Sequence, residues 1–253
     1  MARFRVPTQA FRNFLSILLG FVLGAVNNLI ILPWAFADDL GEWGLVRIVM
    51  AWASLIAPII LYGAPAAMNR YTGVMGRANK IPKLLGTLLW PPLLLFSGFV
   101  ALPALIFPDG VSSMLGLDAA YRQAVQPIAL LSAIITAQLF LASYLSTKLK
   151  TTLATFTQET VFKLGYASLA LCLGLGWLGK SAFLPAYLIL NLLVLLVLLA
   201  QSLANQFKID LRGIGKSAMR KEIRQYGGNL VIGSGAWVIL NQLDIIMGGS
   251  LLG

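Results

Sequence analysis

The sequence predicts an all-α integral membrane protein, and three observations support this prediction. The chain is 58% hydrophobic and only 11% charged, whereas an ordinary soluble domain is about 25% charged. Seven apolar stretches each approach the roughly 20 residues that a helix needs to cross about 30 Å of hydrocarbon. Basic residues fill every second gap between those stretches, which is typical of a chain that crosses a membrane repeatedly.

The predicted spans follow one another with short connections. The longest polar stretch, 205–228, is only long enough for an amphipathic helix and a turn, so the sequence predicts no separate soluble domain. The predicted spans are 14–36, 45–65, 84–107, 124–145, 153–177, 184–203 and 229–253.

The positions of the cations predict which side of the membrane each gap occupies. Lysine and arginine are retained on the cytoplasmic side, so the amino terminus and the even-numbered gaps are predicted inside the cell. The net charge of +10 therefore mostly reflects topology and contact with anionic headgroups, and no nucleic-acid partner is expected. Fifteen of the 19 basic residues lie in these segments: Arg3, Arg5, Arg12, Arg70, Arg77, Lys80, Lys83, Lys148, Lys150, Lys208, Arg212, Lys216, Arg220, Lys221 and Arg224.

The residue types present argue against catalysis. The chain has no histidine, which excludes a Ser-His-Asp triad and removes the commonest proton shuttle and metal ligand. Its one cysteine, Cys172, lies inside a predicted span and can form no intramolecular disulfide. The acidic doublet Asp38–Asp39 falls in a predicted external turn, where nucleotide substrates are absent. We therefore expect no enzyme activity, no metal and no cofactor.

Charged residues inside the predicted spans are few, and each is a functional hypothesis because charge in hydrocarbon is costly. Arg47 lies about one turn inside the outer end of the second span, where it can snorkel to headgroups or line a water-filled pathway. Glu159 and Lys163 have the favourable i, i+4 order for an ion pair near the cytoplasmic end of the fifth span. A structural ion pair is the favoured interpretation of the latter two.

Uncharged polar residues and one aspartate mark further helix faces. Asp244 shares a helical stripe with Asn241, which suggests a face directed at protein or at a cavity rather than lipid. Asn27 and Asn28 in the first span make a similar case, although interhelical hydrogen bonding accounts for them equally well.

Three strings resemble the oligosaccharide flippase family of polysaccharide transporters, within the multidrug/oligosaccharidyl-lipid/polysaccharide exporter superfamily. The first is FADDLGEWGLVRIV, an acidic turn followed by a Glu-x-Gly-Leu segment; the second is GAPAAMNRY at the end of the second span. The third, RQYGGNLVIGSGAWVILNQLDIIMGGSLLG, is similar to the start of that family's second half. Together with the first two spans that carry two of them, the strings cover about a third of the chain, and the remainder matches only in hydropathy and topology.

The resemblance implies a fold and a location. It implies a transporter of two six-helix lobes that moves lipid-pyrophosphate-linked oligosaccharide, a precursor of polysaccharide, O-antigen or exopolysaccharide, across the bacterial inner (plasma) membrane by alternating access. Residues 1–204 would form the amino-terminal lobe, 205–228 a cytoplasmic amphipathic linker and 229–253 the first helix of a second lobe. The sequence ends on an apolar run without a polar flank, so we expect a truncated protein whose partner is the missing carboxyl-terminal lobe.

The resemblance also assigns roles to individual residues. Arg70 would lie at the cytoplasmic mouth of the transport path and Arg47 at the outer one, which makes both candidate contacts of the pyrophosphate. Other polar residues would bind sugar hydroxyls, and Asp244 would orient an arginine or bind a coupling cation. The candidates for sugar contacts are Asn27, Asn28 and Asn241.

Two other classes of function stay open at this point. A drug or metabolite exporter of the related multidrug branch would share the architecture. A membrane-embedded sugar transferase or polymerase is less favoured, because histidine is absent and acidic residues are scarce.

The charge pattern predicts the outcome of topology mapping. Reporter fusions joined after Arg77 and after Arg220 should both report the cytoplasm, because each follows an even number of predicted spans. Fusions joined after Asp39 and Asp109 should report the opposite side. Activities that place Arg77 and Arg220 on different sides of the membrane would contradict the predicted spans.

Overall fold

The fold is all-α across the part of the chain that the computed structural model describes, and no strand occurs there. Fifteen helical segments follow one another from Arg5 to Ala204, and residues 219–223 and 225–231 are also helical. The described residues are 5–37, 40–77, 80–115, 119–212, 219–223 and 225–231.

The α-helices are numbered α1 to α11 in chain order, with three π-helical turns and one 3₁₀ turn between them. They are α1 (Arg5–Val26), π1 (Asn27–Ile31), α2 (Leu32–Ala35), α3 (Leu40–Ile60), α4 (Ala64–Arg77), α5 (Ile81–Phe96), π2 (Ser97–Ala101), α6 (Leu102–Ile106), α7 (Pro108–Met114), the 3₁₀ turn Ala119–Ala124, α8 (Val125–Thr147), α9 (Thr151–Thr155), π3 (Phe156–Val161), α10 (Phe162–Gly174) and α11 (Lys180–Ala204).

Five helices among the described residues are long and apolar enough to cross a membrane, which is the architecture of a multi-pass membrane protein. They match the first four predicted spans and the sixth, with bounds that shift by a few residues. The second is longer than predicted because helical structure resumes beyond a turn at 61–63. The five helices are Ala10–Ala35, Gly41–Gly76, Ile81–Ile106, Arg122–Thr147 and Lys180–Ala204.

The predicted count of six spans before the linker is not confirmed. The fifth predicted span, 153–177, is helical through α9, π3 and α10, yet it does not reach the apolarity of the other five. Its first half is rich in threonine and also carries Gln158, Glu159 and Lys163. The seventh predicted span is helical at 229–231, and the rest of it lies outside the described residues.

From α1 to the start of π1, the first spanning helix buries small and polar groups and exposes large apolar ones. The buried positions are Ser16 and Gly20 on α1 and Asn27 at the start of π1, which recur at the spacing of one helical stripe. Phe14 and Phe21 on the same helix are exposed. Because lipid is as apolar as these side chains, close packing and hydrogen bonds rather than hydrophobicity hold such helices together.

Among the described residues, two of the three π-helical turns end two residues before a proline. Pro33 follows π1 and Pro103 follows π2. A proline has no N–H to give and its ring clashes with the carbonyl four residues earlier, so a locally widened turn relieves both problems. The third turn, π3, has no proline after it and lies instead among polar residues.

The chain divides into two compact units. The first consists of Met1–Trp43 and Leu145–Asn205, and the second of Gly44–Tyr144 and Gln206–Gly253. In the first unit α1 packs against α9, π3 and α10, and α10 packs against α11. The boundaries at 204 and 228 that the resemblance implies stay predictions.

The second unit is built around the end of α3, where the helix breaks at 61–63. Tyr62 and Gly63 have φ values of 50° and 65°, in the left-handed region. A buried apolar cluster on α4, α5 and α8 follows the break and includes Met68, Leu84 and Tyr144. Ile223 from the helical segment 219–223 is buried in the same cluster.

Replacing Gly63 should destabilise the second unit. Gly63→Ala forces an L residue into the left-handed region and directs its Cβ at the carbonyl oxygen of Gly227, so the free energy of unfolding should fall by about 2 kcal/mol or more. Gly73→Ala is the matched control, since a Cβ there meets nothing within 4 Å and alanine favours helix. Melting of the detergent-purified protein measures both, and equal melting temperatures would contradict the prediction.

Candidate functional site

A polar cluster lies inside the first unit. The Asn27 amide nitrogen donates to the backbone carbonyl of Lys163 at 3.1 Å, and the Lys163 Nζ lies 2.6 Å from the Glu159 Oε2. The sequence-predicted ion pair is therefore confirmed. Asn27 is buried, which places its interhelical hydrogen bond away from solvent.

Glycines on α1 allow this close approach. A Cβ at Gly20 would lie 2.8 Å from the backbone oxygen of Glu159 and 2.9 Å from its Oε2. A Cβ at Gly24 would meet the Lys163 side chain at an ordinary 3.7 Å. The Gly-x-x-x-Gly spacing thus packs α1 directly on the ion pair, in the way that small residues admit close helix contacts in membranes.

One hydrogen-bond acceptor in the polar cluster receives no hydrogen bond from the described residues. The Asn27 Oδ1 is buried and has no hydrogen-bond partner among the described residues. A buried acceptor without a partner costs about 1–3 kcal/mol. On a helix that is otherwise apolar, such a residue is the kind that marks a path for polar cargo.

A second cluster, the Arg70 cluster, lies in the second unit and joins α4 to the helical segments 219–223 and 225–231. The Arg70 guanidinium lies 4.4 Å from the centre of the Tyr226 ring, and the Tyr71 and Tyr226 rings meet edge to face at 6.0 Å. The Tyr71 hydroxyl donates to the Glu222 carboxylate at 2.9 Å. The Arg70 Cζ also lies 5.5 Å from the centre of the Tyr71 ring, so the guanidinium makes cation–π contacts with two aromatic rings.

No hydrogen-bond acceptor among the described residues occupies the N–H donors of the Arg70 guanidinium. Arg70 is exposed and takes part in none of the ion pairs found among the described residues. The nearby Glu222 accepts from Tyr71 instead. An exposed guanidinium has its N–H donors in a planar arrangement that suits bidentate binding of a carboxylate or phosphate.

The other sequence-predicted site residues are less informative. Asn28 is exposed and donates to the Gly24 carbonyl of its own helix, while Arg47 is half-buried on α3. Asn241 and Asp244 lie outside the described residues. Asn27 therefore belongs to the polar cluster of the first unit, and Arg70 to the cluster of the second.

Sequence reasoning missed the partners of Arg70. It gave Tyr71, Tyr226 and Glu222 no role in a binding site. Their contact joins positions more than 150 residues apart, and no periodic pattern within either segment encodes it. The amphipathic pattern of 205–228 was the available signal, because it implies that an apolar face packs against something.

In comparisons with known proteins, no protein-family model, no curated protein and no solved structure matches this chain. The assignment to the multi-pass membrane proteins therefore rests on the fold, which is all-α over the described residues with several helices of membrane-spanning length.

The ion pair of the polar cluster should show strong coupling. Glu159→Gln and Lys163→Met should each lower the free energy of unfolding by about 1–2 kcal/mol, because each leaves the other charge without its partner; partial exposure keeps the loss below that of a fully buried pair. The double variant should be more stable than the sum of the single losses predicts.

The exposed pair Arg122–Asp109, at 3.3 Å, is the matched control for this double-mutant cycle. Arg122→Gln with Asp109→Asn should give a coupling energy near zero, because exposed ion pairs are weak. Additive losses at positions 159 and 163 in thermal melting would show that the two side chains do not stabilise each other.

Proposed function

We propose that the protein is a transporter that moves lipid-pyrophosphate-linked oligosaccharide across a bacterial inner membrane by alternating access. Three lines support the proposal: the repeated membrane-length helices, the alternating charge pattern and the family resemblance of three strings. The available guanidinium of Arg70, held against Tyr226 at 4.4 Å, is the observation that carries it.

The chemistry of such a cargo matches the polar groups that the helices present. A pyrophosphate is an anion of two linked phosphate groups, and its transfer into hydrocarbon is costly. The two N–H groups on one side of an arginine guanidinium can bind its oxygens bidentately. The glycan carries many hydroxyls, which amides such as that of Asn27 can bind. The lipid tail can stay in the bilayer, so only the polar part of the cargo needs a protein path.

The polar cluster of the first unit supports transport in general rather than this cargo in particular. Its ion pair neutralises both charges internally at 2.6 Å, so neither charge is available to attract an anion. The unsatisfied Asn27 Oδ1 is an acceptor and suits a hydroxyl donor. We therefore assign pyrophosphate recognition to Arg70, with Arg47 as the second candidate, and glycan contact to Asn27.

Substituting Arg70 should block glycan export. Arg70→Gln, introduced in the chromosomal gene, removes the charge and the fork and should reduce surface glycan at least tenfold, since charge-assisted hydrogen bonds contribute about 1.5–3 kcal/mol each. Arg70→Lys should restore only part of the export, because an ammonium cannot bind bidentately. Membrane protein level is measured in parallel by immunoblot.

Arg122→Gln is the control, because Arg122 is also an exposed arginine but is already paired with Asp109, and this change should leave export intact. Normal surface glycan in both Arg70→Gln and Arg47→Gln would reject the assignment of these residues. If deletion of the gene leaves surface glycan normal but sensitises cells to cationic compounds, the protein is a drug exporter instead.

A further inference from the structure

A short extended segment crosses the first turns of α5 in the second unit. We call residues 206–212 the strap. Its Asp210 N–H donates to the Pro82 carbonyl at 3.0 Å, and the Leu211 carbonyl accepts from the indole N–H of Trp90 at 3.0 Å. Between these two bonds, the backbone of Asp210 lies so close to Gly86 that a Cβ there would collide with its carbonyl oxygen.

The strap has an inner and an outer set of side chains. Phe207 and Ile209 pack against the buried apolar cluster of the second unit, and the Phe207 ring meets that of Tyr144 at 4.9 Å. Lys208, Leu211 and Arg212 are exposed. The strap is therefore fixed from inside and presents two cations and a leucine outward.

The start of α5 adds two more cations beside the strap. Lys80 and Lys83 are both exposed, and they flank Pro82, whose carbonyl binds the strap. Four cations thus lie within three residues of one backbone hydrogen bond. Among the described residues of the strap and the start of α5, the carboxylate is that of Asp210, which accepts from the backbone N–H of Arg212 at 3.0 Å and leaves these residues with a net positive charge.

An exposed apolar stripe continues from these cations along α5. Lys83, Gly86 and Trp90 recur at spacings of three and four and so share one helix face, and Leu94 extends that face by another turn. Trp90 is 39% exposed and Leu94 is 60% exposed, as is Leu211 on the strap at 58%. A tryptophan with one edge bound and one face open is typical of the headgroup level of a membrane.

We propose that the strap and the start of α5 form a binding site for an anionic phospholipid. Lys80, Lys83, Lys208 and Arg212 hold the headgroup phosphate and its second anionic group, and an acyl chain packs along Trp90 and Leu94. Charge complementarity and the adjoining apolar stripe together select a phospholipid, because a soluble anion would use only the cations and a neutral lipid only the stripe.

The site gives the strap a function in the membrane. Bound lipid neutralises four cations that otherwise repel one another, and it ties the linker segment 206–212 to α5 at the headgroup level. Since the strap also anchors on the buried cluster through Phe207 and Ile209, lipid binding stabilises the second unit. This site is independent of the substrate that the protein transports.

Native mass spectrometry of the detergent-purified full chain tests the lipid site, with dioleoyl phosphatidylglycerol, cardiolipin and dioleoyl phosphatidylcholine as probes. The two anionic lipids should bind more tightly than phosphatidylcholine, and their affinity should fall as ionic strength rises. Two double variants should each lower the affinity for the anionic lipids by about tenfold to thirtyfold. They are Lys80→Gln/Lys83→Gln and Lys208→Gln/Arg212→Gln.

Lys148→Gln/Lys150→Gln is the matched control. It also removes two cations from a predicted cytoplasmic gap, but these lie in the first unit and the change should leave lipid affinity unaltered. Trp90→Leu, which keeps an apolar side chain but removes the indole N–H that holds the strap, should weaken anionic lipid less than either double variant.

Three results would overturn the lipid site. One is an equal loss of affinity for anionic lipid in the control variant and the two test variants, which would indicate that the lipid is attracted only by the overall charge of the protein. Another is equal binding of phosphatidylcholine and phosphatidylglycerol to the unaltered protein. The last is displacement of phosphatidylglycerol from the site by a polyprenyl pyrophosphate at much lower concentration, which would make the strap a substrate site. Circular dichroism and gel filtration confirm that each variant is folded.

Discussion

Hydrogen bonding without water is the constraint on which the rest of this structure depends. A helix of membrane-spanning length must satisfy its backbone internally and bury its few polar side chains against other parts of the chain. From α1 to the start of π1 the buried stripe is accordingly small and polar, from Ser16 to Asn27, while the described phenylalanines of α1 are exposed. The π-helical turns before Pro33 and Pro103 follow from the same requirement, because they absorb the bonds that proline cannot make.

The two units use charge in opposite ways under that constraint. In the first unit the Lys163 ammonium is neutralised by Glu159 at 2.6 Å, and Gly20 brings α1 close enough to cover the pair. In the second unit the Arg70 guanidinium is backed by the Tyr226 ring, which orients it without neutralising it. An internal ion pair stabilises helix packing, whereas a cation on an aromatic face keeps its charge for a ligand.

The sequence predicted helix existence well because hydropathy is a local property. Four of the first six predicted spans correspond closely to helices of spanning character, the second continues past Pro65 after a turn, and the Glu159–Lys163 pair followed from i, i+4 spacing. The sequence did not predict the π-helical turns. For π3, in the fifth span, no proline marks the position of the turn. The contacts of Arg70 with Tyr226 and of Trp90 with the strap join distant segments, and neither segment's own pattern specifies its partner.

The segment that follows α11 explains how the second unit comes to carry the cations of the strap. Its described parts, 206–212, 219–223 and 225–231, include Phe207, Ile209 and Ile223, which pack on the apolar cluster. Lys208 and Arg212 are held beside the first two of these anchors. A basic segment without such anchors would bind any anionic membrane surface in no defined orientation. Anchored at both ends, it presents Lys208 and Arg212 beside α5, and Tyr226 beneath Arg70. The same apolar contacts therefore position the cations of the proposed lipid site and, at the Arg70 cluster, the Tyr226 ring that the guanidinium meets.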